Sequence, residues 1–322
     1  MSNAYNVSCI MLYTHNKLEY NINMELRELK YFLEIARHNN ISRAAETLYV
    51  TQPSLSRQMQ NLEKEIGKPL FIRGSKKITL TETGVLLRKR AEELMELYEK
   101  TSAELSASEN GICGEIHVGC GESHALITVA QAAKSLAAEF PNIKLSFFSA
   151  DTEDVLEKLD KGLIDFGVLV LPANIYKYEH ITLPEKDVWG VLMRKDSPLA
   201  KKEAVSPEDL YDKPIIRSRH SIANSFMDDW FGTDRQHLNT VATYNLIYNA
   251  SLLVKAGMGY AIGLDKIINT SDESELTFRP LSPPVETSLA FVWKRNQVFS
   301  DAAKKFMEVL KKHIGEKTFC RL

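Results

Sequence analysis

AAETLYVTQPSLSRQMQNLEKEIGKPLFIRGSKKITLTETG, Ala44 to Gly84, is the stretch on which the fold turns. Its centre, Gln52 onward, predicts a helix whose apolar stripe is Leu55, Met59, Leu62 and Ile66. Pro53 is tolerated in the first turn, where its missing N–H would be unpaired anyway. The opposite side shows Pro53, Ser56, Arg57, Gln60 and Lys64, with Gln52 and Ser54 at the exposed first turn. That side is polar, slender and carries the residue types that read base edges: Gln for adenine, Arg for guanine, Ser for bases or phosphates. A solvated helix face shows the same types, so what surrounds the helix decides between the two.

Upstream, Leu26, Leu29, Phe32, Leu33 and Ala36 recur at helical spacing, and Ser42 is an expected N-cap for a short second helix, Arg43 to Leu48. Downstream, Leu70–Ile72 and Lys77–Leu80 flank Arg73, Gly74, Ser75 and Lys76. This predicts a hairpin whose tip bears Arg73, Lys76 and Lys77, suited to phosphates or a flanking minor groove. Three helices and a basic wing favour DNA over bland solvation. Charge agrees: residues 24–90 hold 13 Lys and Arg against 7 Asp and Glu, whereas the whole chain is at −2. A basic head on an acidic body suits a protein whose head alone meets a polyanion.

The quoted segment resembles the DNA-binding signature of LysR-type transcriptional regulators through Ala44, Ala45, Leu48, Thr51, Gln52, Pro53, Ser54, Ser56, Arg57, Leu62, Glu63, Gly67, Leu70, Phe71, Arg73, Leu80, Thr81 and Gly84. The resemblance implies that Gln52, Ser56 and Arg57 reach base edges or nearby phosphates while Arg73 and the wing lysines hold the backbone of double-stranded DNA. It also implies dimers, commonly paired into tetramers, that work with RNA polymerase.

Thr81 is an expected cap for a long helix in which Leu87, Ala91, Leu94, Tyr98, Thr101 and Leu105 alternate steps of four and three, a dimerisation seam. Over residues 82–109 it would extend about 40 Å at roughly 1.5 Å per residue. The bland reading is that the seam packs on its own chain.

Beyond Gly114 strands and helices alternate, which predicts a parallel sheet with covering helices in two similar lobes. The expected strands are Glu115–Gly119, Ile143–Phe148, Asp165–Leu169, Val188–Met193, Pro214–Arg217, Val241–Tyr244, Tyr260–Gly263 and Ser288–Trp293. Helices are expected over Ala125–Glu139, Glu153–Lys161, Ile222–Trp230, Leu246–Ala256 and Asp301–Lys312. The arrangement is similar to the family's effector domain, which resembles periplasmic solute-binding proteins. AGMGYAIG, Ala256 to Gly263, is close to that family's helix-to-strand turn, although Leu264 and Asp265 stand where Leu-Pro is common.

The division expected is a disordered extension over 1–23; a winged helix-turn-helix over 24–81; a linker helix over 82–110; and an α/β effector domain of two Rossmann-like lobes, 111–185 with 287–316, and 186–286. In such sheets a ligand sits beyond the carboxyl ends of the strands. By position in the family's pattern, Ser123 or its neighbour Glu122, Thr152 and Ser221 are implied as effector contacts. Arg217, Arg219 and His220 favour a carboxylate, and Glu122 keeps an amino-acid-like ligand open. Ser123, Thr152 and Ser221 are equally good as plain helix caps.

Rival readings are thinner. Ser123–His124 with Asp151 or Asp165 is the nearest approach to a hydrolytic triad, but no GxSxG elbow, P-loop or HExxH is present. Neither a metal nor a cofactor is expected, because the histidines are dispersed and Cys9, Cys113, Cys120 and Cys320 form no CxxC. A thiol redox switch at Cys113 or Cys120 is the livelier rival. No run reaches about 18 apolar residues and the start lacks a signal pattern, so a cytoplasmic protein off the membrane is expected.

Overall fold

The computed structural model describes residues 24–74, 77–105, 112–223, 226–232 and 238–318. The chain divides into two compact units, Met1–Glu96 and Leu97–Leu322.

In the first unit, α1 (Leu26–His38) begins at a capping box made by Glu25 and Glu28. α2 (Ile41–Thr47) is capped by Asn40, whose side chain accepts the Arg43 N–H at 3.0 Å. The expected cap Ser42 lies inside the helix, since Asn40 offers an oxygen at the same turn two residues earlier. α3 (Gln52–Ile66) leads to a hairpin of β1 (Phe71–Arg73) and β2 (Ile78–Leu80), and α4 (Glu82–Leu105) follows. Thr81 caps α4 as expected: its Oγ1 accepts the Gly84 N–H at 3.0 Å and donates to the Pro69 carbonyl at 2.8 Å. Leu29, Phe32, Leu55, Met59, Leu62, Leu70 and Phe71 form one buried core, with the Phe32 and Phe71 rings 5.3 Å apart. A Cβ at Gly84 would lie 2.2 Å from the Leu70 carbonyl oxygen, so only glycine lets α4 pass this close to the wing.

The second unit continues with β3 (Gly114–Cys120), α5 (Ile127–Glu139), β4 (Ile143–Ser149), α6 (Thr152–Asp160), β5 (Phe166–Val170) and β6 (Tyr178–Arg194). Then come α7 (Pro207–Leu210), β7 (Pro214–Ser218), α8 (Arg219–Ala223), α9 (Phe226–Phe231), β8 (Asn239–Tyr244), α10 (Ile247–Lys255), β9 (Tyr260–Leu264), β10 (Leu276–Pro280), β11 (Glu286–Lys294) and α11 (Asp301–Thr318). Among the described residues the sheet order is β4-β3-β5-β11-β6-β9-β7-β8, with β10 also on β6.

The sheet is mixed, not parallel throughout. β3 pairs in parallel with β4 and β5, and β7 with β8 and β9, but β6 and β11 run antiparallel to their neighbours and join the two halves. The first half buries Ile116, Val118, Phe166, Phe291 and Phe306. Burial of one such ring contributes about 1.5–3 kcal/mol. The second half buries Trp189, Val191, Ile215, Met227, Phe231 and Ile262. Three expectations change: Val188–Met193 is the end of the 17-residue β6, Ile222–Trp230 falls across α8 and α9, and β10 adds a strand. At Gly190 a Cβ would meet the Phe278 ring at 2.2 Å, which is how β10 lies flat on β6.

Candidate nucleic-acid interface and ligand cleft

The inner stripe of α3, Leu55, Met59 and Leu62, is buried. Gln52, Pro53, Ser54, Arg57, Gln60 and Lys64 are exposed and Ser56 is half-buried. The polar face is thus presented outward by the burial of its opposite side. Glu63 turns back instead, its Oε1 accepting the N–H groups of Leu70 at 2.7 Å and Phe71 at 3.1 Å. This fixes the base of the wing to α3. Ile78 N–H also donates to Asn39 O at 3.0 Å, so the wing is held from both sides. At the tip, Gly74 N–H donates to Lys77 O at 3.1 Å and Lys77 is exposed. Ser75, Lys76 and the Arg73 side chain lie outside the described residues.

Along α4 the expected seam splits. Ala91 is buried in the core of the first unit and Leu87 packs against it, the self-packing arrangement. Leu94, Tyr98 and Leu105 are exposed, as are Val85, Leu86 and Leu97. Near its C-terminal end, Lys100 Nζ bonds Asp165 Oδ1 at 2.8 Å and the Gly162 carbonyl at 3.2 Å, while Asp165 Oδ2 accepts the His117 N–H at 2.8 Å. Both side chains are nearly buried, at 11% and 5% exposure.

Between the two halves of the sheet, beyond the ends of β3, β5 and β7, lies a cavity of about 60 Å³ lined in part by Glu122, Thr152, Trp189, His220, Tyr244 and Ile247. It shares lining residues with two wider hollows of about 390 and 380 Å³, one beside Arg219 and the other beside Ser123. Three contacts cross it. Glu122 Oε2 accepts the Ile247 N–H at 2.7 Å, Arg219 Nη2 donates to Asp151 Oδ2 at 2.5 Å, and Thr152 Oγ1 lies 3.2 Å from His220 Nδ1. Burial holds the His220 imidazole below its ordinary value, against the pull of Asp151. Burial likewise pushes up the Tyr244 phenol, whose hydroxyl donates to the Ile262 carbonyl at 2.7 Å.

The remaining sequence candidates do other work. Ser123 caps the 3₁₀ turn His124–Leu126, accepting the Ala125 N–H at 3.0 Å, and donates to Asp187, whose carboxyl burial raises above the usual range. Ser221 is buried and donates to the Ser218 carbonyl at 2.8 Å. Arg217 is turned inward onto Asp228 at 3.1 Å. The sequence brings the Ala150–Thr152 loop to the cleft without marking Asp151 as a contact, and it gives no sign of Lys100 or Asp187; each is an ordinary-looking charge until its partner, distant in sequence, is folded beside it.

The hydrolytic grouping is not assembled: Ser123 faces Asp187, His124 is exposed, and Asp165 is bound to Lys100. Cys113 and Cys120 stand at either end of the extended β3, about 23 Å apart at ~3.3 Å per residue, beyond disulfide reach. Burial raises the Cys120 thiol, which lowers its thiolate fraction. Cys9 and Cys320 lie outside the described residues. Among the described residues no three His, Cys, Asp or Glu cluster to hold a metal, and no helix is long and apolar enough to cross a membrane.

Residues 26–85 match the family described as bacterial regulatory helix-turn-helix protein, lysR family, and residues 109–315 match the LysR substrate binding domain. Among relatives, the uncharacterised HTH-type transcriptional regulator YnfL of Escherichia coli K12 is 27% identical over 88% of this chain and 97% of its own. The transcriptional activator IlvY of Salmonella typhimurium is 26% identical over 78% of this chain and 85% of its own. In fold, the chain is similar to CbnR, a LysR family transcriptional regulator, at a TM-score of 0.69 and 19% identity over 90% of this chain and 99% of CbnR. Full-length CbnR complexed with its target DNA matches with the same TM-score, at 20% identity over 90% and 100% of the two chains.

Proposed function

The chain belongs to the LysR family and is a DNA-binding transcriptional regulator with a substrate-binding domain; from that premise we propose which residues read the DNA and where the signal enters. Gln52, Ser56 and Arg57 read base edges in the major groove, with Pro53 and Ser54 bringing the α3 N-terminus close to the backbone. Arg73, Lys76 and Lys77 hold phosphates from the wing. What supports this most directly is one observation: the apolar stripe of α3 is consumed by the core, which leaves its polar face turned out. Exposed Leu94, Tyr98 and Leu105 are the seam through which two copies pair, since apolar residues repeated along one exposed helix side gain by mutual burial. Leu87 serves the head's own core instead.

The cavity between the sheet halves takes a small carboxylate or amino-acid-like effector, whose preference for one arrangement of the halves shifts their populations. Glu122 and Thr152 face it and Arg219 faces the adjoining hollow, whereas Ser123 and Ser221 support the walls behind. A thermal-shift screen of small carboxylates and amino acids on the full chain tests this. At least one compound raises the melting temperature, and Thr152→Val removes the shift. A library without a single hit, or a hit indifferent to Thr152→Val, contradicts the assignment.

A further inference from the structure

Two of the three contacts across the cleft share a polarity, an acid of the first half accepting from the second. The first half supplies Glu122, after β3, and Asp151, the N-cap of α6; the second half supplies Arg219, His220 and the N-terminus of α10. α10 has no side-chain cap of its own at Leu246, so the carboxylate that satisfies Ile247 N–H comes from a residue 125 positions away on the opposite wall. Asp151 is held at both oxygens: Oδ1 accepts the Asp154 N–H at 3.2 Å and Oδ2 takes the Arg219 guanidinium from a residue 68 positions away. The acids stand on one wall and their partners on the other.

We propose that Glu122 and Asp151 latch the cleft as resident stand-ins for a ligand's carboxylate, and that the ligand displacing them is a small amino-acid zwitterion. This rests on reading the cleft as the effector site. A carboxylate bound at the Ile247 N–H or at Arg219 Nη2 takes that donor from the acid that now holds it. The displaced Glu122 or Asp151 then needs a cation on its own wall, and a simple carboxylate brings none. An amino acid replaces both halves of the broken pair, carboxylate to the second wall and ammonium to the first. A bare amine has the converse defect, stranding Arg219 or the helix N-terminus. The charge split across the cleft therefore selects a ligand bearing both signs close together.

Isothermal titration of the full chain with the twenty amino acids, their deaminated carboxylates and their decarboxylated amines tests the ligand class. At least one amino acid binds wild type about tenfold or more tightly than its deaminated partner. In Glu122→Gln and Asp151→Asn that ratio contracts, because the carboxylate meets a weaker competitor while the ammonium loses its partner. A carboxylate bound as tightly as its amino acid, or a ratio intact in both variants, overturns it. Hydrogen exchange without any ligand tests the latch separately. Glu122→Ala speeds exchange at Ile247 and also at Arg219–Ser221 on the neighbouring segment; a change confined to Ile247 marks an ordinary cap and overturns the latch. If exchange behaves as stated and no compound binds, the latch stands while the zwitterion assignment and the effector reading both fall.

Discussion

Glu63 reaches from α3 to the backbone of Leu70, accepting its N–H at 2.7 Å. The same oxygen accepts the Phe71 N–H, so one carboxylate orients the wing against the helix that presents Arg57. Glu63→Ala leaves two part-buried N–H groups without this acceptor and lowers stability by about 1–3 kcal/mol. Glu63→Gln, which keeps an oxygen there, loses less. Chemical denaturation of the three proteins measures the order; equal losses for Ala and Gln contradict this role.

Lys77, exposed beside the hairpin turn, bears on affinity without sequence preference. Lys77→Ala weakens cognate and random DNA alike and reduces the slope of log K against log salt by about 1, the share of one released counterion. Anisotropy titrations over a salt series give the slope. A loss restricted to cognate DNA would place this lysine on a base instead.

Lys100 and Asp165 join the end of α4 to the sheet through a nearly buried ion pair. Lys100→Met strips a buried carboxylate of its cation and costs about 3–5 kcal/mol, whereas Lys100→Met with Asp165→Leu recovers part of that loss. Denaturant melts of both variants decide the matter. A double variant less stable than the single one contradicts the pairing.

His220 gives the cleft a pH dependence whose sign is set by burial. The folded ring takes its proton at a lower pH than the ordinary 6.5, so on acidification the unfolded chain is protonated first. Stability from this residue is present above that ordinary value and is lost as pH falls toward the folded one. From pH 7 to 5 wild type therefore loses more stability than His220→Gln, as melting temperatures across the range will register. Parallel profiles for the two proteins contradict it.

What the sequence reveals tracks how local the cause is. α3 is legible because a 3.6-residue period and Pro53 in the first turn are written in consecutive residues, and Thr81 caps α4 for the same reason. Asn40 and Ser42 are both good caps two residues apart, and only the backbone turn selects between them. The first part of β6 is hidden by Pro184, which reads as a strand breaker. In the fold it sits within the interval where the pairing of β6 with β11 shifts register, so no ladder bond is lost there. The cleft contacts leave no local trace, since Glu122 and Ile247 meet only after two sheet halves have formed. The family pattern implies Ser123 and Ser221 as effector contacts, but pattern cannot show that their hydroxyls face Asp187 and the Ser218 carbonyl.

Selection from a random double-stranded DNA pool decides whether the outward face of α3 reads base sequence. Full-length wild type is predicted to enrich one motif, and Arg57→Ala to bind that motif about 1–3 kcal/mol more weakly with relaxed preference at one base position. Enrichment of no motif by wild type, or of the same motif at the same affinity by Arg57→Ala, would contradict it.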